Sequence, residues 1–237
     1  MEKLLKELIE SVKEQTYSNK NAIFNNAWRD QTTSTILLKR ELERSADYVE
    51  ENMPDVTCMT SGDKPAIFNF IADKLTLDGH IAQFGVWMGE SINFLASILG
   101  NKTIWGFDSF YGLEEDFSID YLKGGFNLNG IPPLVRKNVS LVKGSFAKSL
   151  PIWLIQHPGI FSFVHIDCDT YKATKTVLDL LGPKKIISGT FILFDEYLGF
   201  HGWKNHEFKA WQEYCSDNDV KYKYVALNGM QVLVEVL

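Results

Sequence analysis

Two apolar runs in this chain end abruptly in acid. Phe163-Val164-His165-Ile166 leads into Asp167-Cys168-Asp169, and Phe191-Ile192-Leu193-Phe194 leads into Asp195-Glu196. The separation of Asp167 from Asp195 suits one strand–helix–strand unit, so neighbouring strands would bring both carboxylates to one place. Hard oxygen donors with no matching His/Cys set favour magnesium, calcium or manganese over zinc. Asp167, Asp195 and Glu196 are the candidate ligands, with water and an acceptor oxygen completing the shell. A hydroxyl is a poor nucleophile until a cation polarises it and a carboxylate takes its proton. Asp169 shares side-chain parity with Asp167 if the strand continues, which makes it the candidate base. The competing reading is a solvated strand-end cluster, in which Asp169, just before Thr170-Tyr171, caps a helix. His165, inside the run, reads as a buried structural hydrogen-bonder.

A third run, His80-Ile81-Ala82-Gln83-Phe84, enters Gly85-Val86-Trp87-Met88-Gly89. Glycines at a strand-to-helix turn let the backbone approach a ligand, and the helix N-terminus offers free N–H groups. The G-x-x-x-G spacing lacks the full dinucleotide fingerprint, so a pyrophosphate site is poorly supported. Asp108 ends the next strand about twenty residues on, where an acid can accept from ribose hydroxyls. With Ser109 and Gly112 beside it, Asp108 could equally form a turn or cap. Gly144-Ser145-Phe146 follows the strand after that, where a backbone N–H and an aromatic ring could hold an adenine.

The elements that must position these residues alternate from about Asp63. Strands are expected at His80–Phe84, Thr103–Phe107, Val139–Lys143, Phe161–Ile166 and Thr190–Phe194. Helices are expected at Pro65–Leu75, Glu90–Leu99, Tyr171–Leu181 and His206–Cys215. Tyr222–Leu227 and Gln231–Val236 flank Asn228-Gly229, a hairpin signal. The glycine-rich stretch Gly124–Pro133 predicts a loop over one edge. Leu4, Leu5, Leu8, Ile9 and Val12 recur at helical spacing, as do Ile36, Leu37, Leu38, Leu42 and Tyr48, with the polar segment Tyr17–Ser34 between them. The expected architecture is a doubly wound α/β sheet of seven strands with a terminal antiparallel hairpin and helices on both faces. Residues 1–55 would form a helical lid or dimer arm, or equally would simply pack on the sheet, and 56–237 would form the main domain.

The chain has 237 residues, 45% of them hydrophobic, enough for one domain with a full core. A net charge of -6 offers no basic field for a nucleic acid. No apolar stretch approaches a membrane span of about 18 residues. Cys58, Cys168 and Cys215 match no zinc spacing, which fits a reduced cytoplasmic compartment. Cys168 alternates with its two Asp neighbours and should point into packing.

Gly85-Val86-Trp87-Met88-Gly89-Glu90-Ser91, Gly106-Phe107-Asp108-Ser109-Phe110-Tyr111-Gly112-Leu113 and His165-Ile166-Asp167-Cys168-Asp169-Thr170-Tyr171 resemble the macrocin-type sugar O-methyltransferases. These are class I S-adenosylmethionine (AdoMet) methyltransferases, and the similarity runs from about Asp63 to the end. The resemblance implies AdoMet as methyl donor, a divalent metal (usually magnesium) and a hydroxyl acceptor, often on a sugar. It also implies a cofactor set of Gln83, Gly85, Val86, Trp87, Gly89, Ser91, Asp108, Ser109, Ser145, Phe146 and Asp167. Asp167 corresponds to the family's metal Asp and Asp169 to its candidate base. Gln83 stands where the family usually has Glu, Glu196 where it has Asp, and the glycine loop replaces an acidic helical insert.

Aromatic and imidazole side chains after the strand ends (Tyr111, Tyr171, Tyr197, His201, Trp203 and His206) are the candidate acceptor contacts. The expected function is metal-assisted O-methylation of a small molecule, a sugar or glycosylated metabolite, by a cytoplasmic homodimer. Catechol-like phenol methylation, a non-catalytic AdoMet-binding scaffold, and an NAD-dependent dehydrogenase or epimerase are the rivals. The missing third glycine and the terminal hairpin argue against the last.

Overall fold

The computed structural model describes residues 32–59, 64–118 and 121–237. The expected helix at Leu4–Val12 and most of Tyr17–Ser34 lie outside them. The chain divides into two compact units after Asp47. Helix α1 (Thr33–Asn52) runs through that division. In the first unit, Ile36, Leu37, Leu38 and Leu42 of α1 are exposed.

The second unit holds an eight-stranded sheet. Its elements are β1 (Thr57–Met59), α2 (Lys64–Ala72), β2 (His80–Phe84), α3 (Glu90–Ile98), β3 (Ile104–Asp108) and β4 (Val139–Lys143). They continue with α4 (Phe146–Gln156), β5 (Phe161–Ile166), α5 (Tyr171–Leu181), β6 (Phe191–Phe194), α6 (Glu207–Asn218), β7 (Tyr222–Asn228) and β8 (Gln231–Val236). The strand order is β1-β7-β8-β6-β5-β2-β3-β4. Neighbours are parallel except where β8 pairs with β6 and β7.

Two elements differ from expectation. The eighth strand is β1, whose three residues are too short to show an alternating pattern. It joins the edge through Thr57 opposite Ala226. Helix α4 was not foreseen because Pro151 sits inside it. Its burial compensates: Leu150 and Trp153 press on the sheet.

β5 is buried at all six positions, the mark of a central parallel strand covered on both faces. Phe163 belongs to one core with Ile67, Phe68 and Ile71 of α2 and Ile92 and Leu95 of α3. Val164, Ile166 and Cys168 belong to the other, with α4, Val177 and Leu178 of α5, and Trp211 of α6. Cys168 is therefore packed away, as its parity implied. Each fully buried Phe or Ile contributes roughly 1.5–3 kcal/mol, so β5 is fixed by both layers and can hold charged residues at its end.

Candidate active site

β2 lies between β5 and β3, and the chain steps outward from it in both directions. Such a switch point leaves a crevice beyond the carboxyl ends of the strands. Here it is a cavity of about 1490 Å³. That exceeds the roughly 300–1,000 Å³ of an ordinary small-molecule pocket and leaves room for two ligands.

One end is built on the turn after β2. Gly85 has φ +91°, and a Cβ there would lie 1.6 Å from the Asp167 carbonyl oxygen. Glycine is required because the backbone after β5 occupies the space. Gly89 takes φ +85° before α3, and Trp87 takes a left-handed φ of 44°. Asp108 holds this turn: one carboxylate oxygen accepts the Val86 and Trp87 N–H groups at 2.8 and 2.9 Å. The other accepts the Phe110 N–H at 2.7 Å. Of about four acceptor directions on a carboxylate, one is left for a ligand hydroxyl. The turn-forming reading of Asp108 is thus realised, and it leaves space for the ribose reading.

Gln83 is fully buried. Its amide donates to the Gly85 carbonyl (2.8 Å) and to Ser91 Oγ (2.7 Å). Ser91 Oγ donates to Asp167 at 3.3 Å. Gly85, Val86, Trp87, Ser91, Asp108, Ser109, Ser145, Phe146 and Asp167 line the cavity, whereas Gln83 and Gly89 support it from behind.

At the other end the expected acids converge. One ligand atom each from His165, Asp167 and Asp195 lies within 4.8 Å of the others. His165 is fully buried, and neither of its ring nitrogens has a hydrogen-bond partner among the described residues. Its Nε2 lies 3.5 Å from Asp195 Oδ1. Asp195 also accepts from Gln231 Nε2 (2.5 Å) and pairs with Lys64 Nζ (2.5 Å). Burial opposes its charge, but His165 and Lys64 outweigh that and hold Asp195 well below the usual carboxylate range.

The remaining acids respond in the opposite sense. Burial, then the neighbouring Asp195, pushes Asp167 up to about 6. Burial, then Asp167, pushes Asp169 up to about 7. Lys64 offsets the charge of Asp195, and the cluster still holds more acid than positive charge. An unpartnered imidazole between two carboxylates fits a divalent cation, and imidazole shifts the preference from magnesium toward manganese, iron or zinc.

Glu196 does not join this donor group, contrary to expectation. Its N–H donates to Glu207 Oε2 at 3.0 Å. Burial pushes both Glu196 and Glu207 well above the carboxylate range. His165 takes the third place instead. The signal was its i, i+2 parity with Asp167 along β5. Asp169 faces the cavity with φ 62°. The cap reading belongs to Thr170, whose Oγ1 accepts the Ala173 N–H at 3.4 Å.

Of the candidate acceptor contacts, His201 and His206 line the cavity and the others do not. Tyr171 turns to α6, its hydroxyl donating to Glu213 at 2.6 Å. Tyr197 is buried in a tyrosine cluster, 2.9 Å from the Tyr224 hydroxyl. Trp203 is buried against Tyr48 and Phe208. Tyr111 is exposed, beneath Lys143. The rest of the wall is formed by Phe117, Tyr121 and Phe126 of the β3–β4 loop, with Phe200 packed against Phe117. Phe126 stacks on Tyr121 at 5.2 Å, and Phe117 lies 5.0 Å from His206.

With this geometry in place, the chain can be compared with known proteins. Residues 82–197 match the family Methyltransf_24, described as a methyltransferase domain. No curated protein sequence matches significantly. Among solved structures, the calicheamicin methyltransferase CalS11 is similar with a TM-score of 0.60 at 17% identity, over 86% of this chain and 93% of that one. An apo structure of CalS11, described as a TDP-rhamnose 3'-O-methyltransferase, has a TM-score of 0.55 at 18% identity, over 85% and 93%. Residues 82–197 are thus similar to a methyltransferase domain, and the sheet shares the fold of CalS11. No helix among the described residues is long and apolar enough to cross a membrane.

Proposed function

We propose that the protein is a divalent-cation-assisted, AdoMet-dependent O-methyltransferase acting on a hydroxyl of a small molecule, a sugar or a glycosylated metabolite. The observation that carries this reading is one cavity bordered at one end by the glycine turn and Asp108, and at the other by Asp167 and Asp169. CalS11, with the same fold, is described as acting on TDP-rhamnose.

AdoMet supplies an electrophilic methyl group. Gly85, Val86 and Trp87 would cradle it, Asp108 would take a ribose hydroxyl, and Ser145-Phe146 would border its base. A divalent cation, held by His165, Asp167 and Asp195, would lower the pKa of a hydroxyl. Asp169 accepts the hydroxyl proton as the oxygen attacks. The remaining contribution of the protein is alignment. The aromatic wall of Phe117, Tyr121 and Phe126 favours a second reading, methylation of a flat catechol-like phenol.

A panel of glycosides and catechols, assayed with AdoMet and with or without chelator, separates these readings. Asp169→Asn is expected to lower kcat by about 10²–10⁴-fold while AdoMet affinity stays within twofold. Unchanged turnover would remove the base assignment, and chelator-insensitive transfer the cation assignment.

Residues 1–55 are proposed as a lid or homodimer arm, a reading supported by the exposed apolar residues of α1. Three unpaired cysteines support a cytoplasmic location.

A further inference from the structure

Lys64 lines the cavity, whereas Asp195 and His165 do not. Asp195 is 1% exposed, and its Oδ2 is taken by Lys64 Nζ at 2.5 Å. Its Oδ1 is held by Gln231. The Lys64 side chain is itself 59% exposed. An ammonium therefore stands between the cavity and Asp195, on a side chain that is more than half exposed. Asp167, the third donor, faces the cavity directly.

We propose that Lys64 is an exchangeable cationic plug: it neutralises Asp195 in the resting protein and must withdraw into the cavity before Oδ2 can ligate a divalent cation. This rests on the reading of His165, Asp167 and Asp195 as a cation site. The ammonium and a divalent ion compete for one oxygen at contact distance, so Lys64 weakens cation affinity in proportion to the strength of its pair. Lysine suits an exchangeable role, with a compact charge on a flexible four-carbon stem that can swing without moving its helix. Its placement at the first residue of α2 anchors the stem while leaving the head free. Phe68, one turn on, packs against His165 at 5.1 Å and holds α2 over the site.

Manganese affinity, measured by calorimetry on the full chain at pH 8 without AdoMet or acceptor, tests the plug. Lys64→Met keeps the stem and removes the charge, and should bind manganese roughly tenfold or more tightly than the wild type. Lys64→Arg restores a cation and should return affinity to within about threefold of wild type. Circular dichroism and AdoMet affinity establish that each variant is folded. If Lys64→Met binds manganese as the wild type does, or more weakly, the plug is overturned. If neither binds manganese, the cation site itself fails, and the plug with it. If His165→Ala abolishes binding in the Lys64→Met background, the site stands and the comparison reads the plug alone.

Discussion

Glu207 begins α6 fully buried, with Oε2 accepting the Glu196 N–H and Oε1 without a partner among the described residues. An ionised carboxylate in that position would be desolvated and half-satisfied. Burial raises its pKa well above the ordinary value, with nearby Asp195 and Asp169 adding to the rise and the bond from Glu196 opposing it. A raised folded-state pKa gives a stability contribution that is full below the unfolded value of about 4.3 and is lost as pH rises toward the folded one. Glu207→Gln mimics the protonated acid. Thermal melts should show it matching the wild type near pH 4 and outlasting it at pH 8. A gap independent of pH would mean that Glu207 is not held neutral. Neither this residue nor His165 was legible as part of the site, because burial and crowding arise only once β5, β6 and α6 are assembled. The carboxylates Asp167 and Asp195 were legible, because an acid at the end of an apolar strand has few purely structural uses.

At the scale of elements, the β3–β4 loop carries the aromatic wall proposed to meet the acceptor. The loop closes on itself: Leu113 and Gly125 are joined at 3.0 Å, and Gly124 donates back to Leu113 at 2.9 Å. Gly112 takes φ +82°, and a Cβ there would strike the Gly125 oxygen at 2.3 Å. The glycine-rich composition announced a loop but could not say that its aromatic residues turn inward. Tyr171, Tyr197 and Trp203 looked better placed because they follow strand ends directly, yet helix packing claims all three. Phe117→Ala should raise the acceptor KM by roughly five- to fiftyfold, the effect of losing an aromatic contact, with AdoMet affinity within twofold. Steady-state kinetics with each substrate varied checks this. An equal loss for both substrates would place the wall elsewhere. The strands themselves were read almost to the residue because β2, β4, β5 and β8 are dense in apolar and β-branched side chains. β1 and α4 escaped, one through brevity and the other through an internal proline.

At the scale of the whole molecule, the switch point and the reversed β8 set the class, and both followed from the alternation of elements and the Asn-Gly turn. The exposed leucines of α1 are the residues that the proposed homodimer arm would use. Leu38→Glu with Leu42→Glu should convert a dimer to a monomer in sedimentation experiments if α1 is the homodimer arm, and an unaltered mass would assign that helix to another role. The direct contact between the Gly85 backbone and the Asp167 carbonyl has a consequence for how this architecture can vary. No side chain stands between the two loops to cushion a shift of a few tenths of an ångström, so the donor seat and the acid seat behave as one casting. Sequence drift at either must be answered at the other, and redesign is best begun at the aromatic wall, whose own seam of Gly112 against Gly125 lies within a single loop.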